Sequence, residues 1–263
     1  LSLYKKRMNE IEKLSNKLVN AFVNDKIIAP LPTKFTKKLI EAQKLRKLCE
    51  SKVKDPIIGF KAGGTGIPVM KKLKEKKPFY ASIFKKNFIK SGKKVKINKS
   101  TLGIELEVCY LIKKNFFSSK RSITMKNVTK YISYMAPCIE VIGYRQKKKG
   151  ITSFGDLCSD FGANVKFLIG QKKKYKRIKI GNLKTNITNK KIGQSVNGNT
   201  NTVYINPLNS LRFVLNELKK DKVNLDKDFY VFTGSTVGVV PILGKGLYTG
   251  KVDQLGSAKA IIH

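Results

Sequence analysis

The sequence predicts an α+β fold, in which an N-terminal helical region (1–54) precedes a β-rich core domain (55–263) built on a mixed, curved sheet. Three observations predict it. Apolar residues recur at helical spacing over the first fifty positions, the texture then changes to short β-rich runs, and a few helical stretches are scattered among those runs.

In order along the chain, residues 4–23 place Met8, Ile11, Leu14, Leu18 and Phe22 three or four apart, the mark of an amphipathic helix. "APLPT" is a linker. A second helix is expected over 34–50, with Thr33 as N-cap and Phe35, Leu39, Ala42, Leu45 and Leu48 on one face. The runs "PIIGF", "GIELEVCYLI", "CIEVIGY", "NVKFLIG", "TVYIN", "DFYVFTG" and "SAKAIIH" read as strands, and 67–76, 125–135 and 207–220 as helices. Two Lys-rich stretches, within 84–100 and 171–195, read as exposed hairpins or loops. No internal repeat is visible.

Composition narrows the chemistry. The 263 residues carry 55 Lys plus Arg against 17 Asp plus Glu, a net charge of +38, and only six of the basic residues are Arg. Drift towards Lys in an AT-rich genome explains the choice of Lys over Arg, whereas the shortage of acids leaves room for an anionic partner such as RNA or an acidic surface. No RNA-binding motif stands out. The longest apolar runs are broken by Gly, Pro and Thr, so no transmembrane segment is expected. Glu10 and Glu12 in the first turns suit neither a secretory signal nor an acid-poor transit peptide, and a chain opening on Leu1 suggests a further segment upstream. Cysteines 49, 109, 138 and 158 show no CxxC spacing and the only histidine is His263, which argues against zinc and for buried, reduced thiols. Acid–base chemistry must then run on carboxylates, lysine, tyrosine or metal-bound water.

The acids themselves are the most informative residues. Between Lys76 and Gly155 the only carboxylates are Glu105, Glu107 and Glu140, all inside apolar strands rather than polar loops. Alternation along "GIELEVCYLI" sends Ile104, Leu106, Val108 and Tyr110 to one face and Glu105, Glu107 and Cys109 to the other. Carboxylates so placed repel one another and are costly to desolvate without a cation. Two candidates follow: ion pairing with lysines, or a divalent metal, for which an all-oxygen set suits Mg2+ or Mn2+.

The segments "GFKAGGTG", "GIELEVCYLI", "APCIEVIGYR", "DLCSDFGANVKFLIG", "NPLNSL" and "FTGSTVGVVPI" occur in an order that resembles the 2-keto-4-pentenoate hydratase branch of the fumarylacetoacetate hydrolase superfamily. The resemblance runs from residue 57 to the end, and the helical N-terminal part also fits. It implies a β-roll core and a site in which Glu105, Glu107 and Glu140 bind Mg2+ or Mn2+. It also implies a lyase, hydratase- or decarboxylase-like, acting on a small 2-oxo acid through a metal-stabilised enolate. Lys61 matches the family's active-site lysine and Asp160 a polar acid near the site. Thr65 and Ser235 fall in the Gly-rich and Thr-Gly-Ser turns that would meet substrate oxygens.

Departures from the family pattern cluster where protons move. Phe79 stands where an Asp is usual, Phe161 replaces an amide, Ala163 a hydroxyl and Asn206 a histidine. Two functions are therefore carried forward. One is the 2-oxo acid enzyme, expected as a homo-oligomer if free. The other is a catalytically impaired member recruited as a basic subunit of a large assembly, such as an organellar ribosome or membrane complex, through its Lys-rich surfaces. The compartment expected is the cytoplasm or the mitochondrial matrix.

Overall fold

The computed structural model describes residues 2–148 and 150–263. Helices α1 (Ser2–Val23), α2 (Thr33–Thr36) and α3 (Leu39–Lys52) lead into strand β1 (Ile57–Gly63), followed by α4 (Ile67–Lys72), β2 (Phe79–Phe84), β3 (Phe88–Lys90) and β4 (Lys94–Val95). Two long strands, β5 (Thr101–Ile112) and β6 (Ile132–Gly143), form the centre. After them come α5 (Phe154–Ser159), β7 (Asn164–Ile169), β8 (Lys173–Lys174), β9 (Lys184–Asn189) and β10 (Gln194–Asn199). The chain closes with α6 (Pro207–Lys220), β11 (Phe229–Ser235), β12 (Gly246–Val252) and β13 (Gly256–Ile262).

The larger sheet runs β2-β1-β11-β5-β6-β7-β3, with β8 on β6, and curls into a half-barrel. A smaller sheet runs β10-β9-β12-β13-β4. This mixed, curled architecture is the α+β fold expected. The alternation read from β5 decides what each face meets. Leu106, Val108 and Tyr110 pack with Leu211, Val214 and Leu215 of α6, while Ile104 joins Ile139, Val141 and Leu168 against Tyr248, Ala260 and Ile262 of the second sheet. Burial of these aliphatic and aromatic side chains, about 1.5–3 kcal/mol each, drives the packing. On the opposite face of β5, Cys109 packs with Ile83, Cys138, Phe167 and Phe232, while the N-terminal helices pack Leu18, Phe22, Phe35 and Leu45 against Phe84 and Phe161.

Several local expectations are corrected. The 34–50 helix is two helices, and Pro32 rather than Thr33 occupies the N-cap position of the first. Residues 125–135 form a short 3-10 turn, Val128–Tyr131, and then enter β6, because Ile132 and Met135 find core positions beside β5. "TVYIN" is not a strand. Asn199 caps the turn at Thr200–Thr202 and Asn206 caps α6, so the segment is taken up joining two capped elements, with only Val203 bridging to Gly66. α4 ends at Lys72, four residues short of the expected 76, where Lys74 adopts φ 56°. Strand β2 was not foreseen because all six of its residues are buried, which leaves no alternation to see. In the Lys-rich 171–195 stretch, β8 pairs with β6 and β9 forms the first arm of an antiparallel hairpin whose second arm, β10, runs on to Asn199. All four cysteines are free and buried, and no helix among the described residues is long and apolar enough to cross a membrane.

Candidate metal centre

Register brings the three glutamates together. β5 and β6 pair antiparallel with Glu105 directly opposite Glu140 and Glu107 opposite Cys138, so all three carboxylates share one face of the ladder. One oxygen from each lies within 4.8 Å of the others, and among the described residues this is the group of acids that could hold a metal ion. Glu107 and Glu140 are fully buried; Glu105 is half-buried at the cavity wall.

Lys61 of β1 reaches across to donate to Glu140 Oε1 at 2.5 Å. Glu107 Oε2 accepts the backbone N–H of Gly234 at 2.9 Å. Two further oxygens, Glu107 Oε1 and Glu140 Oε2, are buried without a partner. One ammonium therefore faces three carboxylates, so lysine pairing satisfies the cluster only in part. Burial, then the neighbouring Glu140, pushes the Glu105 carboxyl up to about 8, with Lys61 opposing. Burial and then Glu105 push Glu107 up to about 7. Glu140 lies well above the ordinary carboxylate range, chiefly because it is buried, with Lys61 working against the rise. Burial would lower the Lys61 ammonium, but the carboxylates, Glu140 foremost, hold it above its usual value. Crowded, partly unpartnered carboxylate oxygens in an all-oxygen set fit a hard divalent cation with water or substrate completing its shell.

The centre opens into a cavity of about 340 Å3. Lys61 and Glu105 line it, with the turn after β1 and α4 (Gly63–Val69), the turn after β11 (Gly234–Val239) and apolar residues of α5 around them. Gly234 must be glycine: its φ is +105°, and a Cβ would stand 1.9 Å from Thr65 Oγ1. That close approach locks the two turns together and aims the Gly234 N–H at Glu107.

The other expected residues separate into two groups. Thr65 is buried on the cavity wall and Ser235 lines it too, its hydroxyl donating to Gly238 O at 2.7 Å. Phe79 and Ala163 also form wall. Asp160 does not line the cavity. It is fully buried elsewhere, accepting from Arg145 N at 2.8 Å and Gln146 Nε2 at 3.0 Å and paired with Arg145 Nε at 3.1 Å. Phe161 stacks on Phe22 with ring centroids 4.2 Å apart, and Asn206 caps α6, so neither reaches the cavity. The Gly234 donor and the wall residues Phe154, Leu157 and Ile151 were missed by sequence reasoning; only the Gly in "FTGST" gave a signal for the first.

No protein-family model and no curated protein matches the chain. Solved structures do. Two structures of 4-oxalocrotonate decarboxylase from Pseudomonas putida G7 are similar over nearly the whole chain. The one complexed with calcium and acetate has a TM-score of 0.83 at 20% identity, covering 97% of this chain and 98% of that one. The one complexed with magnesium and adipate has a TM-score of 0.82 at 21% identity, covering 98% of each chain. A 2-hydroxyhepta-2,4-diene-1,7-dioate isomerase from Mycobacterium marinum is more distant, with a TM-score of 0.55 at 12% identity over 79% of this chain and 76% of that one. The chain shares its fold with these structures, a fumarylacetoacetate hydrolase-like fold as the sequence resemblance implied.

Proposed function

We propose that the chain is a divalent-metal-dependent enzyme acting on a small 2-oxo acid, as a lyase that hydrates or decarboxylates it. The observation that carries this reading is the cluster of three carboxylates, short of counter-charge, at the wall of a cavity. Glu105, Glu107 and Glu140 would hold Mg2+ or Mn2+. When bound, such an ion supplies Lewis-acid stabilisation of the charge that gathers on a 2-oxo oxygen.

The chain's own residues do the rest. Lys61, fixed by Glu140, would add positive charge for a substrate carboxylate, and it is the one basic side chain among the described cavity-lining residues through which a proton could be exchanged with the substrate. The Gly234 N–H keeps Glu107 in its rotamer. Thr65 and Ser235 offer hydroxyls from opposite turns, and Phe79 and Phe154 keep water from the reacting carbon. Asp160 acts at a distance, as a positioning residue: it anchors Arg145 and begins the Phe161–Ala163 turn, whose Gly162 and Ala163 line the cavity. The enzyme should bind about one Mn2+ per chain with saturation, seen by electron paramagnetic resonance, and turn over hydroxylated or unsaturated 2-oxo acids. Glu107→Ala should abolish both. Metal-loaded protein inert towards all such acids would overturn the assignment.

A second reading, a basic subunit of a large assembly, is supported by the net charge of +38 and by two Lys-rich segments flanking one strand: β4 pairs with β13, and Lys173 binds Gln254 O just before it. Steeply salt-dependent retention on RNA would favour it, and absence of retention at low salt would count against it.

A further inference from the structure

The cavity's charge is as informative as its shape. In a chain with 55 Lys and Arg, Lys61 is the only basic residue among the described residues that line it, and Lys61 is already bound to Glu140. Lys148, close by in the chain, is tied to Asp156 instead. Much of the wall is apolar, formed by Val69, Phe79, Ile142, Ile151, Phe154 and Leu157. The polar residues among the rest, such as Asn197 and Thr202, are uncharged.

From this we propose that the cavity takes a 2-oxo monocarboxylate with an apolar tail and rejects an acid bearing a second carboxylate at the far end. The proposal rests on the metal-centre reading above. With a divalent cation in place, three carboxylates and one ammonium leave the centre neutral. The first substrate carboxylate makes it anionic, so a second one meets no free counter-charge among the described lining residues and sheds its water against aromatic and aliphatic side chains. An alkyl tail gains from the same wall what the carboxylate loses. The volume of about 340 Å3 suits a small acid, since ligand sites span about 300–1,000 Å3.

The test compares three ligands on the Mn2+-loaded full chain, by water-proton relaxation at fixed ionic strength. Oxalate probes the metal end alone, and 2-oxohexanoate and 2-oxoadipate have the same chain length and differ in the terminal carboxylate. We expect 2-oxohexanoate to bind at least about 10-fold more tightly than 2-oxoadipate. Equal or inverted affinities with oxalate still bound would overturn the tail assignment and leave the metal centre standing. Failure of oxalate to bind would overturn the metal-centre reading and this proposal with it. Val69→Lys, at an exposed lining position of α4, places a cation on the cavity wall without burying it. It should narrow the ratio by about threefold, and a folded variant that leaves the ratio unchanged would show that missing charge does not set the preference.

Discussion

Two buried carboxylate sites, one at Asp160 and one at Glu105, Glu107 and Glu140, are built on different principles. At Asp160 one acid meets one Arg, a backbone N–H and an amide, while Arg145 spends its remaining donors on the carbonyls of Gly143, Asp160 and Asn164. At Glu105, Glu107 and Glu140 three acids meet one Lys and one N–H, and two oxygens have no partner. The first is a charge-matched structural joint: Asp160 Oδ1 accepts no hydrogen bond, but its charge is met by Arg145 Nε at 3.1 Å. The second is stable only if something positive, a proton or a metal ion, completes it. Satisfied charge holds a fold together, whereas unsatisfied charge marks where the fold is kept ready for a ligand.

The contrast is broken most severely at Arg145. Arg145→Ala leaves Asp160 buried without its counter-ion and removes a donor from three carbonyls, those of Gly143, Asp160 and Asn164. It should cost about 3–5 kcal/mol in urea unfolding, with or without metal present. A loss below about 1 kcal/mol would mean that the joint contributes little.

How far each group was legible follows from the range of its contacts. Glu105 and Glu107 could be paired from the period-two alternation of one strand, and Glu140 could be added because no other acid is nearby in sequence. The direct opposition of Glu105 and Glu140 depends on a register that the sequence does not display. Asp160 drew attention only through family resemblance. Its partners Arg145 and Gln146, some fifteen residues away, sit in a segment with no periodic signal, so the joint they form was invisible. The fold was readable where amphipathic patterns are strong, as in α1, α6 and β5. It was unreadable where a strand is buried on both faces, as in β2, or where caps decide the structure, as at Thr200–Asn206.

At the metal centre the same kind of deletion should act in the opposite direction. Glu107→Gln keeps the shape and can still accept the Gly234 N–H, but it removes one of three crowded charges. Without metal the variant should be more stable than the native chain, by about 1 kcal/mol in urea unfolding near pH 8. Its Mn2+ affinity should fall at least about 10-fold. A metal-free variant less stable than the native chain would show that the cluster is a structural network like that at Asp160.

The smallest effect sharpens the comparison most, because it separates the two groups by pH alone. In the metal-free protein the carboxyls of Glu107 and Glu105 titrate near about 7 and about 8, raised above the ordinary value of 4.5 mainly by burial. A raised carboxyl holds its proton more tightly when folded than when unfolded. The fold is therefore favoured while the proton is bound and loses that advantage as pH rises through the folded values. The metal-free melting temperature should fall between pH 6 and pH 9, by about 2–6 °C. Mg2+ competes with those protons, so the stabilisation it confers should grow over the same interval. In Glu107→Gln the fall should shrink, whereas Arg145→Ala should leave it in place on a lower baseline. Melting curves for all three proteins at constant ionic strength, with and without Mg2+, read the difference directly. A metal-free curve flat from pH 6 to pH 9 would mean that the three glutamates are as well compensated as Asp160.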